Sequence, residues 1–149
     1  AIHWKRGQQI GEGTFGKACS SHGLPAPLVF KGLNEATGEL FAVKQIGLGE
    51  GTQAEVNLLQ AEINLMKNLY HRHIVRYRGT HRGEKHLYIF LEYVPGGSIA
   101  SMLQHYGVFR EDLIRRFVYQ ILLGVCYLHG KGILHRDIKG ANVLVTGQV

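Results

Sequence analysis

The sequence predicts an α+β fold: a strand-rich first part carrying one helix, followed by a helical second part. Three observations predict it. Short apolar and β-branched runs at 29–33, 40–46, 74–79 and 86–92 are separated by polar turns or a helix. A single one-sided helix interrupts them after Thr52 and Glu55, a T-x-x-E capping pair. At Pro95-Gly96-Gly97 the strand-rich composition gives way to helical periodicity.

Taken in order, 2–10, broken by Gly7, reads as a weak strand entering the stretch G-E-G-T-F-G at 11–16. The runs at 29–33 and 40–46 are better strands, joined by the polar turn N-E-A-T-G-E with Gly38. G-L-G-E-G at 47–51 is a connection. Along 52–70, Val56, Leu59, Ile63 and Met66 recur at steps of three and four, which is one face of a helix. Strands at 74–79 and 86–92 flank the turn R-G-E-K. A short helix is expected near 98–106 and a long one at about 111–130, where Ile114, Phe117, Ile121, Leu122, Val125 and Leu128 form a broad apolar face. The terminal I-L-H-R-D-I-K-G-A-N-V-L-V reads as a loop followed by a buried strand.

At 149 residues, with 45% hydrophobic and 19% charged residues, the chain has the size and composition of one ordinary globular domain. No apolar run reaches the roughly 18 residues of a membrane span. The opening A-I-H-W-K-R lacks an apolar signal core and an initiator Met, so the chain is expected to be excised from a longer one. Cys19 and Cys126 form no metal or redox spacing, which points to a reducing compartment and a cytoplasmic protein. Nine His residues are scattered without ligand spacing, which argues against zinc. The net charge of +6 is not concentrated in any basic block, so neither nucleic acid nor membrane is an expected partner.

Gly11, Gly13 and Gly16 match three phosphate-binding devices. A dinucleotide fingerprint needs a helix directly after the glycines, and S-S-H-G-L-P-A-P cannot begin one. A P-loop places Lys17 correctly, but Ala18 has no hydroxyl for Mg²⁺. The third device is a glycine-rich strand–loop–strand. Alone, G-x-G-x-x-G differs little from any glycine-rich turn. Here it is accompanied by F-A-V-K ending at Lys44, by Glu62 on the following helix, and by H-R-D-I-K-G-A-N at 135–142.

With these four elements in order, the chain resembles the protein kinase family throughout its length. V-P-G-G-S-I at 94–99 and H-R-D-I-K-G-A-N are similar to the MAP kinase kinase kinase group. G-L-N-E-A-T-G-E-L-F-A-V-K-Q-I and R-Y-R-G-T resemble its plant and algal members, and Lys139 fits the Ser/Thr type. The resemblance implies an N-terminal lobe, 1–94, with an antiparallel β-sheet plus one helix, and the start of a helical C-terminal lobe at 95–149.

The resemblance also implies site residues. ATP would be held by the segment Ile10, Gly11, Glu12, Gly13, Thr14, Phe15 and Gly16, whose glycine amides approach phosphates unhindered by a Cβ. Lys44 would meet the α- and β-phosphates, steadied by Glu62; the plain alternative is a solvated pair, with Glu55 also available. Val29, Ala42, Leu91 and Leu144 would surround the base, with Glu92 and Val94 offering backbone groups and Ser98 a weak or water-mediated ribose contact. Taken singly, the apolar positions would be buried in any fold. Asp137 would orient the substrate hydroxyl and accept its proton, Lys139 would neutralise the phosphoryl group, and Asn142 would hold Mg²⁺. His135 is expected to be a packed scaffold residue and Arg136 a receiver of an activation-loop phosphate. The plain alternative for Asp137 is a turn or cap residue. The expected substrate is a protein, a MAP kinase kinase.

Residues 18–28 interrupt the family pattern. Either they loop out as an insertion or a gene-model artefact and Val29 roofs the base, or Ala18 keeps that place; Pro25 and Pro27 disfavour a continuous strand. No Asp or Glu follows Asp137, so the family's D-F-G carboxylate is expected beyond Val149 and the chain as it stands is expected to be inactive or nearly so. A catalytically dead binding module and, more remotely, a P-loop NTPase are the alternative functions.

Overall fold

The computed structural model describes residues 3–12, 27–48 and 53–147. They form two compact units, 1–70 with 75–93, and 71–74 with 94–149.

The first unit is a five-stranded antiparallel sheet with one helix. Its strands are β1 (Trp4–Glu12), β2 (Leu28–Asn34), β3 (Leu40–Gly47), β4 (Tyr77–Arg82) and β5 (His86–Glu92), in the spatial order β1-β2-β3-β5-β4. Helix α1 (Gln53–Lys67) follows β3. The expected Thr52–Glu55 cap lies outside the residues whose side chains are described.

Local chemistry explains the elements. The β2–β3 turn is built on Asn34, whose side chain accepts from the amides of Ala36 at 2.9 Å and Thr37 at 3.3 Å. Gly38 closes this turn at φ 72°, a conformation that glycine adopts without strain. The break expected at Gly7 does not occur: β1 runs unbroken through it, and only its register with β2 shifts between Arg6 and Gln9. A Cβ on Gly7 would stand 2.9 Å from the Lys31 carbonyl oxygen, which the bare glycine avoids. The predicted strand at 74–79 is corrected to Tyr77–Arg82. Its first residues are held elsewhere: the Ile74 amide bonds the His71 carbonyl in a tight turn.

Strand alternation gives the sheet two covered faces. On one, Ile46 of β3 and Leu87 and Ile89 of β5 pack under Leu59 and Ile63 of α1, with Met66 and Leu91 at the margin. On the other, Phe41, Val43 and Phe90 form an aromatic cluster edged by Trp4, Phe30 and Tyr88. Trp4 meets Phe41, Tyr88 and Phe90 edge-on at 5.5–6.2 Å. Each fully buried Ile, Val or Phe contributes about 1.5–3 kcal/mol. Two faces can be covered because Val43, Ile46 and Ile89 are all sealed from solvent.

The second unit holds α2 (Ile99–Tyr106), α3 (Glu111–Gly130) and a 3₁₀ turn at Gly140–Asn142. Ser98 caps α2, its Oγ accepting from the Ser101 amide at 3.1 Å while Ser101 Oγ accepts from the Ser98 amide at 3.0 Å. Helix α3 ends in a Schellman-type turn, with the Ile133 amide on the Leu128 carbonyl and Gly132 at φ 74°.

Three expectations for this unit need correction. The sequence division at 94/95 moves: Val94 and 71–74 belong to the second unit. The reason is that His71 stacks on Tyr127 of α3 at 4.7 Å, and the His73 carbonyl lies against Gly124, where a Cβ would stand 3.0 Å from its oxygen. The broad apolar face of α3 buries Phe117 and Leu128, but Ile114 and Leu122 are 43% and 55% exposed. The terminal buried strand is reduced to one antiparallel bridge, Ser98–Leu144, in which Val145 is buried and Leu144 is exposed. Among the described residues, no helix is long and apolar enough to cross a membrane.

Candidate functional site

The expected site residues fall into two groups, one in each unit. In the first, sheet register decides which side chains share a face. Val29 lies opposite Lys44, Lys31 opposite Ala42, and Ala42 opposite Leu91. Residues paired across a sheet point to the same side, so Val29, Ala42, Lys44 and Leu91 occupy the face covered by α1. Val29, Ala42 and Leu91 are half-buried. Lys44 is 9% exposed, a burial that an ammonium tolerates only with polar partners.

Glu62 of α1 is the carboxylate that responds to Lys44. Burial pushes its pKa up, and the positive charge of Lys44 opposes this without cancelling it. Glu62 thus feels Lys44 in a partly dehydrated setting. The side chain of Glu55 is not among those described.

The glycine stretch starts from an antiparallel pair. Gly11 pairs with Val29 and Glu12 with Leu28, while Ile10, beside them on β1, is exposed. Gly13, Thr14, Phe15 and Gly16 lie outside the described residues, as does most of the interruption at 18–28. Of that interruption, Pro27 is buried and Leu28 already belongs to β2. Val29 is the β2 residue beside Gly11; Ala18 lies outside the described residues, and a β2 that starts at Leu28 suits either of the two sequence alternatives. Joining the stretch to β2 in an antiparallel pair also suits the strand–loop–strand device, whereas P-loop and dinucleotide devices belong to parallel β-α-β units.

Glu92, the last residue of the β3–β5 ladder, is tied to Arg76 twice. Its amide donates to the Arg76 carbonyl at 2.8 Å, and its Oε2 accepts from the Arg76 amide at 3.2 Å. The sequence assigned Arg76 no role and placed it inside the strand expected at 74–79.

In the second unit, H-R-D-I-K-G-A-N folds into a compact polar loop. Asn142 Nδ2 donates to Asp137 Oδ2 at 3.0 Å and to the Asp137 carbonyl at 2.9 Å. Lys139 Nζ stands 3.3 Å from Asp137 Oδ1. Arg136 adopts φ 64°, a left-handed conformation unfavourable for a side-chain-bearing residue, and this sets the bend before Asp137. His135 is exposed rather than packed; its Nδ1 accepts from the Asp137 amide at 3.2 Å, so it organises the loop backbone. A carboxylate held between an ammonium and an amide is an oriented proton acceptor. Asn142 donates its nitrogen to Asp137, and its Oδ1 is a hard oxygen of the kind that ligates hard cations.

Val94 is half-buried and Leu144 is 42% exposed. Ser98 is engaged in the α2 cap, so a ribose contact by its hydroxyl would compete with the helix start. The missed partner, Ser101, is visible in retrospect as the fourth residue of S-x-x-S.

Comparison with known proteins matches residues 4–149 to the family described as protein kinase domain. The chain is 47% identical over 153 residues to mitogen-activated protein kinase kinase kinase 2 of Arabidopsis thaliana, covering 99% of this chain and 22% of the relative. It is 40% identical to the serine/threonine-protein kinase STE11 of Saccharomyces cerevisiae, covering 96% of this chain and 24% of the relative. The chain therefore spans about a fifth to a quarter of the length of these relatives. The crystal structure of Rad53 1-466 in complex with AMP-PNP superposes with a TM-score of 0.80 at 28% identity, covering 97% of this chain and 35% of that one.

Proposed function

Because this chain belongs to the protein kinase family, we propose that it serves ATP-dependent phosphorylation of Ser or Thr hydroxyls on a protein, in the manner of a MAP kinase kinase kinase. The observation that carries this reading is Asp137, its carboxylate held at 3.3 Å by Lys139 and at 3.0 Å by Asn142. The substrate hydroxyl would approach Asp137, which accepts its proton. Lys139 supplies positive charge beside the group being transferred. Lys44, buried on the sheet face it shares with Val29 and Ala42, would meet the phosphates of a nucleotide whose base lies against those side chains.

ATP as the nucleotide is supported by the AMP-PNP complex of the Rad53 neighbour. Mg²⁺ fits the donors present: Asn142 Oδ1 is a hard neutral oxygen beside a carboxylate that Lys139 partly offsets. Such a set suits an ion shared with phosphates rather than caged by protein. When bound, Mg²⁺ would neutralise phosphate charge. A MAP kinase kinase as substrate is supported by the names of the relatives, and a cytoplasmic location by the spacing of the two cysteines. The test is transfer of labelled phosphate from γ-labelled ATP to a MAP kinase kinase by the protein carrying this sequence, with Asp137→Asn as control. Equal incorporation by the variant would reject the assignment.

A further inference from the structure

Lys31 is a cation that the phosphate chemistry leaves unused. It lies in β2 opposite Ala42, which lies opposite Leu91, so it shares a rung and a face with two residues assigned to the base. Its Nζ stands 4.8 Å from the centroid of the Tyr93 ring. Both side chains are half-buried, a setting in which attraction between an ammonium and a ring face is strengthened by lost solvation.

The position of Tyr93 gives this contact its meaning. The β3–β5 ladder ends at the Phe41–Glu92 pair, one residue earlier. Glu92 is held by Arg76, whose guanidinium in turn stands 4.9 Å from the Tyr70 ring. Tyr93 lies past the last ladder pair, and its ring is gripped from β2. Immediately after Val94 come Pro95, Gly96 and Gly97, which impose no helix or strand. The contact thus anchors the chain at the point where sheet pairing stops.

We propose that Lys31 is a positioning residue for the base-binding segment 92–94, acting through the ring of Tyr93. Fixing that ring narrows the orientations of the adjacent backbone groups, so the segment meets an adenine already arranged. The proposal rests on the ATP reading above for its ligand, but the anchoring itself does not.

The experiment measures amide hydrogen exchange at Tyr93 and Val94 and titrates ATP into the wild-type chain, Lys31→Met, Lys31→Arg and Tyr93→Leu, with thermal melts to verify folding. Lys31→Met and Tyr93→Leu are expected to speed exchange and weaken ATP binding about 2- to 30-fold, the range of a cation–ring contact. Lys31→Arg should stay near wild type, because a guanidinium also stacks on rings. Combining Lys31→Met with Tyr93→Leu should cost no more than either alone. Unchanged exchange in Lys31→Met, or equal acceleration in Lys31→Arg, would overturn the proposal. If wild type binds no ATP while exchange responds as expected, the ATP reading fails and the anchoring stands; if ATP binds and exchange does not respond, the anchoring alone fails.

Discussion

Asn142 donates the same amide nitrogen to both the carboxylate and the backbone carbonyl of Asp137, at 3.0 Å and 2.9 Å. One side chain thereby fixes both the loop and the group that acts in it. Replacing Asn142 with Ala frees the Asp137 carboxylate to rotate toward Lys139. Phosphoryl transfer should fall by about 100-fold or more, the usual worth of a positioned proton acceptor. Stability should fall by only about 0.5–1.5 kcal/mol, because the loop is partly solvated. Phosphate incorporation and a thermal melt measured together separate the two effects.

Lys44→Met should abolish phosphoryl transfer while leaving the fold intact. Lys44 is 9% exposed, and Met fills a similar volume without bringing a charge into the interior. A loss of about 100-fold or more is expected from removing a preorganised charge at the phosphates. Undiminished turnover in a folded Lys44→Met protein would remove Lys44 from the site.

Glu62 makes stability depend on pH. Its folded-state pKa lies above the ordinary carboxylate value of 4.5, since burial outweighs the pull of Lys44. Folding therefore favours its protonated form. The resulting stabilisation is complete below 4.5 and lost as pH climbs through the raised value. Glu62→Gln should flatten that decline in denaturant melts taken across the interval, while a slope identical to wild type would place Glu62 in water.

His73 gives the opposite trend. Burial, Arg72 and His71 all push its pKa below 6.5, so the folded state resists taking up a proton. The stability it supports is present above 6.5 and is lost as pH falls through the depressed value. His73→Gln should remove this acid sensitivity of the 71–74 turn, which hydrogen exchange at Ile74 would report.

Gly32→Ala probes the aromatic face of the sheet. An added Cβ would stand 2.5 Å from Phe41 Cε2 and 2.8 Å from Val43 Cγ2, both in the buried cluster. Overpacking of this kind typically costs about 1–3 kcal/mol. Denaturant unfolding should show that loss, and a neutral result would mean that Phe41 can shift at little cost.

Most elements were legible because their signals are local. Helix α3 occupies Glu111–Gly130 and β5 His86–Glu92, as the periodicities of 3.6 and 2 required. Leu59, Ile63 and Met66 face the sheet as their spacing demanded. The chemical identities at Lys44, Glu62, Asp137, Lys139 and Asn142 were also written in the chain. Errors arose where a partner distant in sequence decides: β4 starts late because His71–Ile74 belongs with α3, and 143–145 pairs with 97–99 instead of forming a strand of its own.

What the sequence determined by itself was the order of elements and the residue types available for phosphate chemistry, since backbone propensity and side-chain chemistry are properties of short segments. Only the tertiary structure decided that Val29, Lys31, Ala42, Lys44 and Leu91 share one face, that Glu62 is dehydrated near Lys44, and that Lys31 reaches Tyr93. Those relations depend on strand register. A shift of one residue would send every one of these β2 side chains to the other face, and register is set by the packing of both faces at once.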